Sequence, residues 1–106
     1  MQLLDKHKEA LNKACSTFNV DELYAFGSIL SEKFNPESDI DFIVSIISID
    51  PIEYAENYFN LKFELEKIFK RKIDLLEQKS IRNKTFEDII NKQKVLVYAR
   101  RNQGLA

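Results

Sequence analysis

Apolar positions recur at helical spacing at the start of the chain. Leu3, Leu4, Leu11, Ala14, Cys15 and Phe18, with His7 among them, line one side of a helix expected over residues 2–18. "DELYAFG" (21–27) reads as a short strand stopped by Gly27, followed by a brief helix from Ser28 to about Lys33 and a turn at "NPES" (35–38). "IDFIVSII" (40–47) is a continuous β-rich apolar run, the pattern of a strand buried on both faces. Asp50-Pro51 supplies an N-cap acid and a proline at the first helical position. The helix it opens runs to Phe69, with Lys70, Arg71 and Lys72 at its end, where cations complement the helix dipole. "KIDLLE" (72–77) is another strand, Thr85-Phe86-Glu87-Asp88 resembles a capping signature for a helix to about Lys92, and "KVLVYA" (94–99) is a last strand. Helices alternating with short strands predict an α/β (α+β) fold, a small mixed β-sheet packed with helices. The expected division is one domain over residues 1–100 and a flexible tail over 101–106.

The long helix is apolar on two sides. Tyr54, Ala55, Tyr58, Leu61, Leu65, Ile68 and Phe69 form a core-facing stripe, whereas Ile52, Phe59 and Phe63 fall on a second face roughly 120° away. Such a helix either sits deep in a core or offers one side to a partner. His7 and Cys15 lack a second histidine or cysteine to complete a metal site, so they are expected to pack in the core.

Composition narrows the class. At 106 residues, 44% hydrophobic and 31% charged, the chain reads as a folded single domain. Sixteen basic and seventeen acidic residues leave a net charge of −1, which points to neither a nucleic-acid nor a membrane partner. One cysteine cannot form an internal disulfide and suits a reducing cytoplasm. No apolar run approaches the ~20 residues that span a bilayer, and the start does not read as a signal peptide. The expected location is cytoplasmic.

The candidate chemistry is acidic. Asp39 and Asp41 flank Ile40 at the mouth of a strand, where alternation turns both carboxylates to one face. Two like charges side by side are costly to ionise together, and a hard divalent cation relieves that cost. Asp74 stands in the apolar run Ile73-Asp74-Leu75-Leu76, where an unpaired acid is expensive. If the two strands are neighbours, three carboxylates meet at one sheet edge, enough for two Mg²⁺. Asp-x-Asp before a strand is also ordinary turn chemistry, and Asp74 also reads as a loop cap or a partner of Lys72 or Arg71. Gly27-Ser28, between a strand and a short helix, suits close approach of backbone amides to a phosphate, and equally reads as a strand-ending turn with a serine cap.

Gly27-Ser28, ten intervening residues, then Ser38-Asp39-Ile40-Asp41, with Asp74 on a later strand, resembles the DNA polymerase β type nucleotidyltransferase superfamily. The likeness is closest to its small prokaryotic members, the minimal nucleotidyltransferases (MNT), and extends over nearly the whole chain, including "SIRNKTFEDIINKQKVLVYA". It implies transfer of a nucleoside monophosphate, AMP from ATP, to an acceptor hydroxyl with loss of pyrophosphate. Carried over by position, Gly27 and Ser28 hold the β and γ phosphates and Asp39 and Asp41 ligate Mg²⁺. Asp74 binds the second metal and helps take the acceptor's proton. Lys72, Lys79 and Arg82 are candidate phosphate contacts, each also readable as a solvated charge. Where many minimal members carry an arginine and a second glycine after Gly-Ser, this chain has Ile29, Ser31 and Glu32, which removes a cation from beside the triphosphate and adds an acid. The resemblance further implies a HEPN toxin as partner. The chain would then be the antitoxin of a toxin–antitoxin pair, adenylylating a toxin tyrosine or neutralising the toxin by binding alone. Homo-oligomerisation and transfer to a small molecule remain the other readings.

Overall fold

The structure, a computed structural model, describes residues 2–103. In chain order it contains α1 (Gln2–Lys6), α2 (Lys8–Thr17), β1 (Val20–Phe26), β2 (Ile40–Ile46), α3 (Pro51–Phe69), β3 (Ile73–Glu77), α4 (Lys84–Gln93), β4 (Val95–Ala99) and α5 (Arg100–Gln103). Short 3₁₀ turns follow β1 at Gly27–Leu30 and β3 at Gln78–Ser80. The four strands form one mixed sheet in the order β3-β2-β1-β4, with β1 antiparallel to both its neighbours and β2 parallel to β3. The expected small mixed α/β sheet is therefore present. A parallel neighbour needs a crossover, and α3 supplies it.

The long helix has the expected bounds for the expected reasons. The Asp50 carboxylate accepts from the Ile52 amide at 3.2 Å, Pro51 occupies the first turn, and Lys70 ends the helix in the left-handed region (φ 55°, ψ 43°). Leu61, Leu65 and Phe69 are buried against Ile40, Phe42 and Val44 of β2 and Leu11, Ala14 and Cys15 of α2. The Tyr54 hydroxyl donates to Glu77 at 2.6 Å and the Tyr58 hydroxyl to the Leu75 carbonyl at 2.5 Å, fastening α3 to β3. Burial pushes the Cys15 thiol up to about 12, so it packs as a small apolar group.

Several details differ from the sequence pattern. The first helix is two, broken at His7 (φ −109°, ψ 21°), whose ring packs edge-on against Phe69 with centroids 5.3 Å apart. Ala55 is exposed, because it lies at the margin of the buried stripe. The fourth helix starts earlier than Thr85: the Asn83 side chain accepts from the Phe86 amide at 2.9 Å and is the N-cap. Within the expected tail, residues up to 103 continue as α5, and Arg101 donates to Glu22 at 2.8 Å; residues 104–106 lie outside the described residues. Arg71 does not serve the helix dipole. It folds back to donate to the carbonyls of Asn35 (3.1 Å) and Ser38 (2.9 Å), with its guanidinium 4.8 Å from the Phe34 ring centroid. Among the described residues, no helix is long and apolar enough to cross a membrane.

Candidate active site

Register decides which acids meet. In the parallel pair, Ile40 lies opposite Ile73 and Asp41 opposite Asp74; in the antiparallel pair, Phe26 lies opposite Asp41. Ile40 and Phe42 belong to the core under α2 and α3, so Asp41, between them, faces the other side of the sheet. The β2–β3 ladder opens where the Ile40 amide donates to the Lys72 carbonyl at 3.2 Å. The Asn35–Ser38 turn delivers the chain to that point. The Ser38 amide donates to the Asn35 carbonyl (3.0 Å), the Asn35 side chain accepts from the Glu37 amide (2.9 Å), and Arg71 clamps two of the turn's carbonyls.

Of the three expected acids, the structure pairs two. Asp41 is half-buried and Asp74 exposed beside it. Burial first, then the hydrogen bond and charge of Asp74, then the charge of Asp39, push the Asp41 carboxyl up to about 6. Asp39 stands just before β2, with its carboxylate 4.0 Å from Lys72 Nζ, an exposed contact of small energetic weight. Among the described residues, no three His, Cys, Asp or Glu side chains are gathered into a compact ligand cluster. Three like charges on one edge repel, and Lys72 draws one of them aside. The donor set nevertheless fits a hard divalent cation. Its donors are carboxylate oxygens, and the mutual repulsion that raises the Asp41 pKa is what such a cation neutralises.

Gly27 completes the arrangement. Its φ of +77° is one that L side chains rarely adopt, and a Cβ built there would stand 2.3 Å from Asp41 Oδ2. The missing side chain is the room the carboxylate occupies. Ser28 follows, half-buried, and its carbonyl accepts from the Ser31 amide at 2.9 Å and the Ser31 hydroxyl at 3.0 Å. The expected helix to Lys33 is a single 3₁₀ turn ending at Leu30. Ser31 is extended (φ −120°, ψ 165°), and its hydroxyl accepts from the Lys33 amide. So short a turn adds little dipole. Ile29 is buried in the core.

The cations sort by position. Lys72 is at the site edge. Lys79 is beyond the far end of β3, its Nζ 3.8 Å from the Tyr54 ring centroid, and does not reach the acids; Arg82 is exposed after the following turn. Lys94, unnoticed in the sequence, immediately precedes Val95, which pairs with Ala25. It caps the C-terminus of α4 one residue before β4 begins, next to the β1 end that leads through Phe26 to Gly27. Its Nζ lies 4.1 Å from the Tyr24 ring centroid. Only the strand register reveals it.

Two outcomes follow from this geometry. Gly27→Ala costs about 1–3 kcal/mol and lowers the melting temperature by several degrees. The loss shrinks when Asp41 is also alanine, because the clash is then gone and only the strained φ remains; thermal melts of the two single variants and the double variant measure it. For Asp41, the native state holds its proton more tightly than the unfolded chain, so this group's contribution falls as pH rises from about 4 through about 6. A full shift of this size corresponds to about 3 kcal/mol, and solvent screening at a half-buried carboxyl reduces it to about 1 kcal/mol. Asp41→Asn is accordingly more stable than the wild type at pH 7 in chelator-treated protein and lacks that pH dependence, as denaturant titrations at both pH values would record.

The sequence profile of the family described as "Polymerase beta, Nucleotidyltransferase" matches residues 8–103. A protein of Methanocaldococcus jannaschii, named a protein adenylyltransferase, is 35% identical over 82 residues, covering 77% of this chain and 78% of its own. Among solved structures, a minimal nucleotidyltransferase superposes with a TM-score of 0.72 at 17% identity, covering 89% of this chain and 92% of that one. A toxin–antitoxin complex with AMP-PNP superposes with a TM-score of 0.65 at 20% identity, over 92% of this chain and 78% of that one. A complex of MNT antitoxin with tri-AMPylated HEPN toxin from Shewanella oneidensis gives 0.61 at 17% identity, over 95% and 76%. These structural likenesses carry the fold, and the profile match across nearly the whole chain carries more: the protein belongs to the polymerase beta nucleotidyltransferase family.

Proposed function

We propose that this chain transfers AMP from ATP to a tyrosine hydroxyl of a helical HEPN-type toxin, with Mg²⁺, and so acts as the antitoxin of a pair. The observation that carries the reading is the facing of Asp41 and Asp74 across the parallel strands, with the bare backbone of Gly27 against the Asp41 carboxylate. The relative named a protein adenylyltransferase and the structural neighbours crystallised with AMP-PNP and with an AMPylated toxin support it.

In this reading Asp39, Asp41 and Asp74 hold Mg²⁺, which supplies charge neutralisation along the polyphosphate and at the attacking oxygen. Gly27 and Ser28 present amides and a hydroxyl to the β and γ phosphates. Lys94, at the end of α4 just before β4, provides the cation that the Ile29–Glu32 segment lacks. Asp74, exposed beside Asp41, accepts the proton of the acceptor hydroxyl. The new bond joins the acceptor oxygen to the α phosphorus, the bond from that phosphorus to the bridging oxygen breaks, and pyrophosphate leaves. Most of the rate comes from positioning and charge.

Neutralisation by binding alone is the second reading, favoured by the acid Glu32, exposed in the segment just after Gly27-Ser28, where it opposes a triphosphate. Label transfer from α-labelled ATP to the co-expressed toxin separates the two. Asp39→Ala with Asp41→Ala drops transfer at least ~10³-fold while the complex still forms. A wild type that transfers nothing sinks the enzyme, and a double variant that still protects cells makes binding the biological mechanism. For Lys94, calorimetry with Mg²⁺-ATP and with AMP is decisive. Lys94→Ala weakens ATP about tenfold and leaves AMP unchanged; an equal loss for both nucleotides removes Lys94 from the phosphate tail.

A further inference from the structure

The outer face of α3 is apolar and open. Ile52, Phe59 and Phe63 are 70%, 53% and 62% exposed, although they sit on a helix whose opposite side is fully buried at Leu61 and Leu65. At 100° per residue the three share one narrow stripe on a side of the helix turned away from the sheet. Each phenylalanine ring has roughly 150–250 Å² to bury, and more than half of each meets water.

The charges beside the stripe indicate what covers it. Glu56 and Lys67 are both exposed and lie on the same flank, one toward each end of the helix. Their midpoint falls between Leu61 and Lys62. Phe59 and Phe63 straddle it. When two antiparallel helices are related by a two-fold axis, a flank of one meets the same flank of the other. An axis at this midpoint therefore sets Glu56 against the second copy's lysine at position 67, twice, and packs the four phenylalanines at the centre. Flanking charges of this kind fix register and orientation in helix pairs, and an isologous contact requires such self-complementarity.

We propose that α3 is a homodimer interface: two copies of this chain pair antiparallel through Ile52, Phe59 and Phe63, with Glu56 and Lys67 setting the register. The contact is small, at the low end of specific interfaces, so the dimer is reversible in the micromolar range.

Sedimentation equilibrium of the full chain from about 5 to 500 µM tests it. The wild type shows a monomer–dimer equilibrium, and Phe63→Asp is monomeric, with a melting temperature unchanged at low concentration, where the wild type is monomeric too, because most of the side chain already meets water. Glu56→Lys raises the dimer dissociation constant about tenfold or more, since two like-charge contacts replace two opposite ones. Adding Lys67→Glu to it restores wild-type dimerisation, since the reversed pair is again complementary. A monomeric wild type throughout the range overturns the proposal, and so does a double variant that dimerises no better than Glu56→Lys. If the wild type is monomeric and Phe63→Asp instead loses its toxin, the face belongs to the toxin and the homodimer is wrong. None of these readings depends on nucleotide transfer, so they stand or fall apart from the proposed activity.

Discussion

One pairing governs the rest of the molecule: β2 beside β3, parallel and in the register that sets Asp41 opposite Asp74. A slip of one residue would turn Asp74 to the opposite face and leave a carboxylate in the core. The register is held from several directions. Asp50 caps the start of α3 and Lys70 closes its end, which fixes the length of the crossover. Tyr54 and Tyr58 tie α3 to the strand it feeds, and the Lys72 carbonyl receives the first amide of β2. Arg71 then reaches from the end of the crossover to the turn that precedes Asp39, so one side chain coordinates the approach of both acid-bearing strands. A cation placed there for the helix dipole would do nothing for the site.

The energetic consequence is a division of labour between the two faces of the sheet. Beneath, Leu23, Ala25, Ile40, Phe42, Val44, Ile73 and Leu75 pack with α2 and α3, and no polar side chain is buried among the described residues. Above, burial and then the neighbouring Asp74 carboxylate make the Asp41 carboxyl reluctant to ionise. The repulsion is confined to one exposed edge, which under the proposed function a cation and phosphates would occupy. Gly27 concentrates the same trade-off in one residue: its left-handed backbone gives up a side chain so that an acid can stand against bare chain.

What the sequence disclosed follows from the range of each interaction. The bounds of α3 were legible because Asp50-Pro51 acts within one turn, and the strands were legible because their apolar runs are bounded by turn chemistry. Gly27, Asp39, Asp41 and Asp74 were legible as residue types misplaced for their surroundings. The two-part first helix, the cap at Asn83, the pairing of Asp39 with Lys72 and the clamp by Arg71 were not, since each depends on groups brought together only by the fold. Lys94 shows the limit most clearly. It is one lysine among many until the pairing of Val95 with Ala25 brings the end of α4 beside β1 and its ammonium onto the Tyr24 ring.

The two faces also explain how an interface on α3 is compatible with chemistry on so small a domain. The buried residues of α3 pack on the side of β2 that carries Ile40, Phe42 and Val44, and Asp41 alternates to the other side. A contact through Phe59 and Phe63 therefore lies beyond the helix layer, with the whole sheet between it and the acids. Pairing there leaves both sites facing outward and open to an acceptor, and it covers apolar surface that a lone domain would leave in water. Under the proposed function, a partner bound over the acid face would compete with nucleotide and acceptor for the same edge, whereas one bound on α3 would compete with neither.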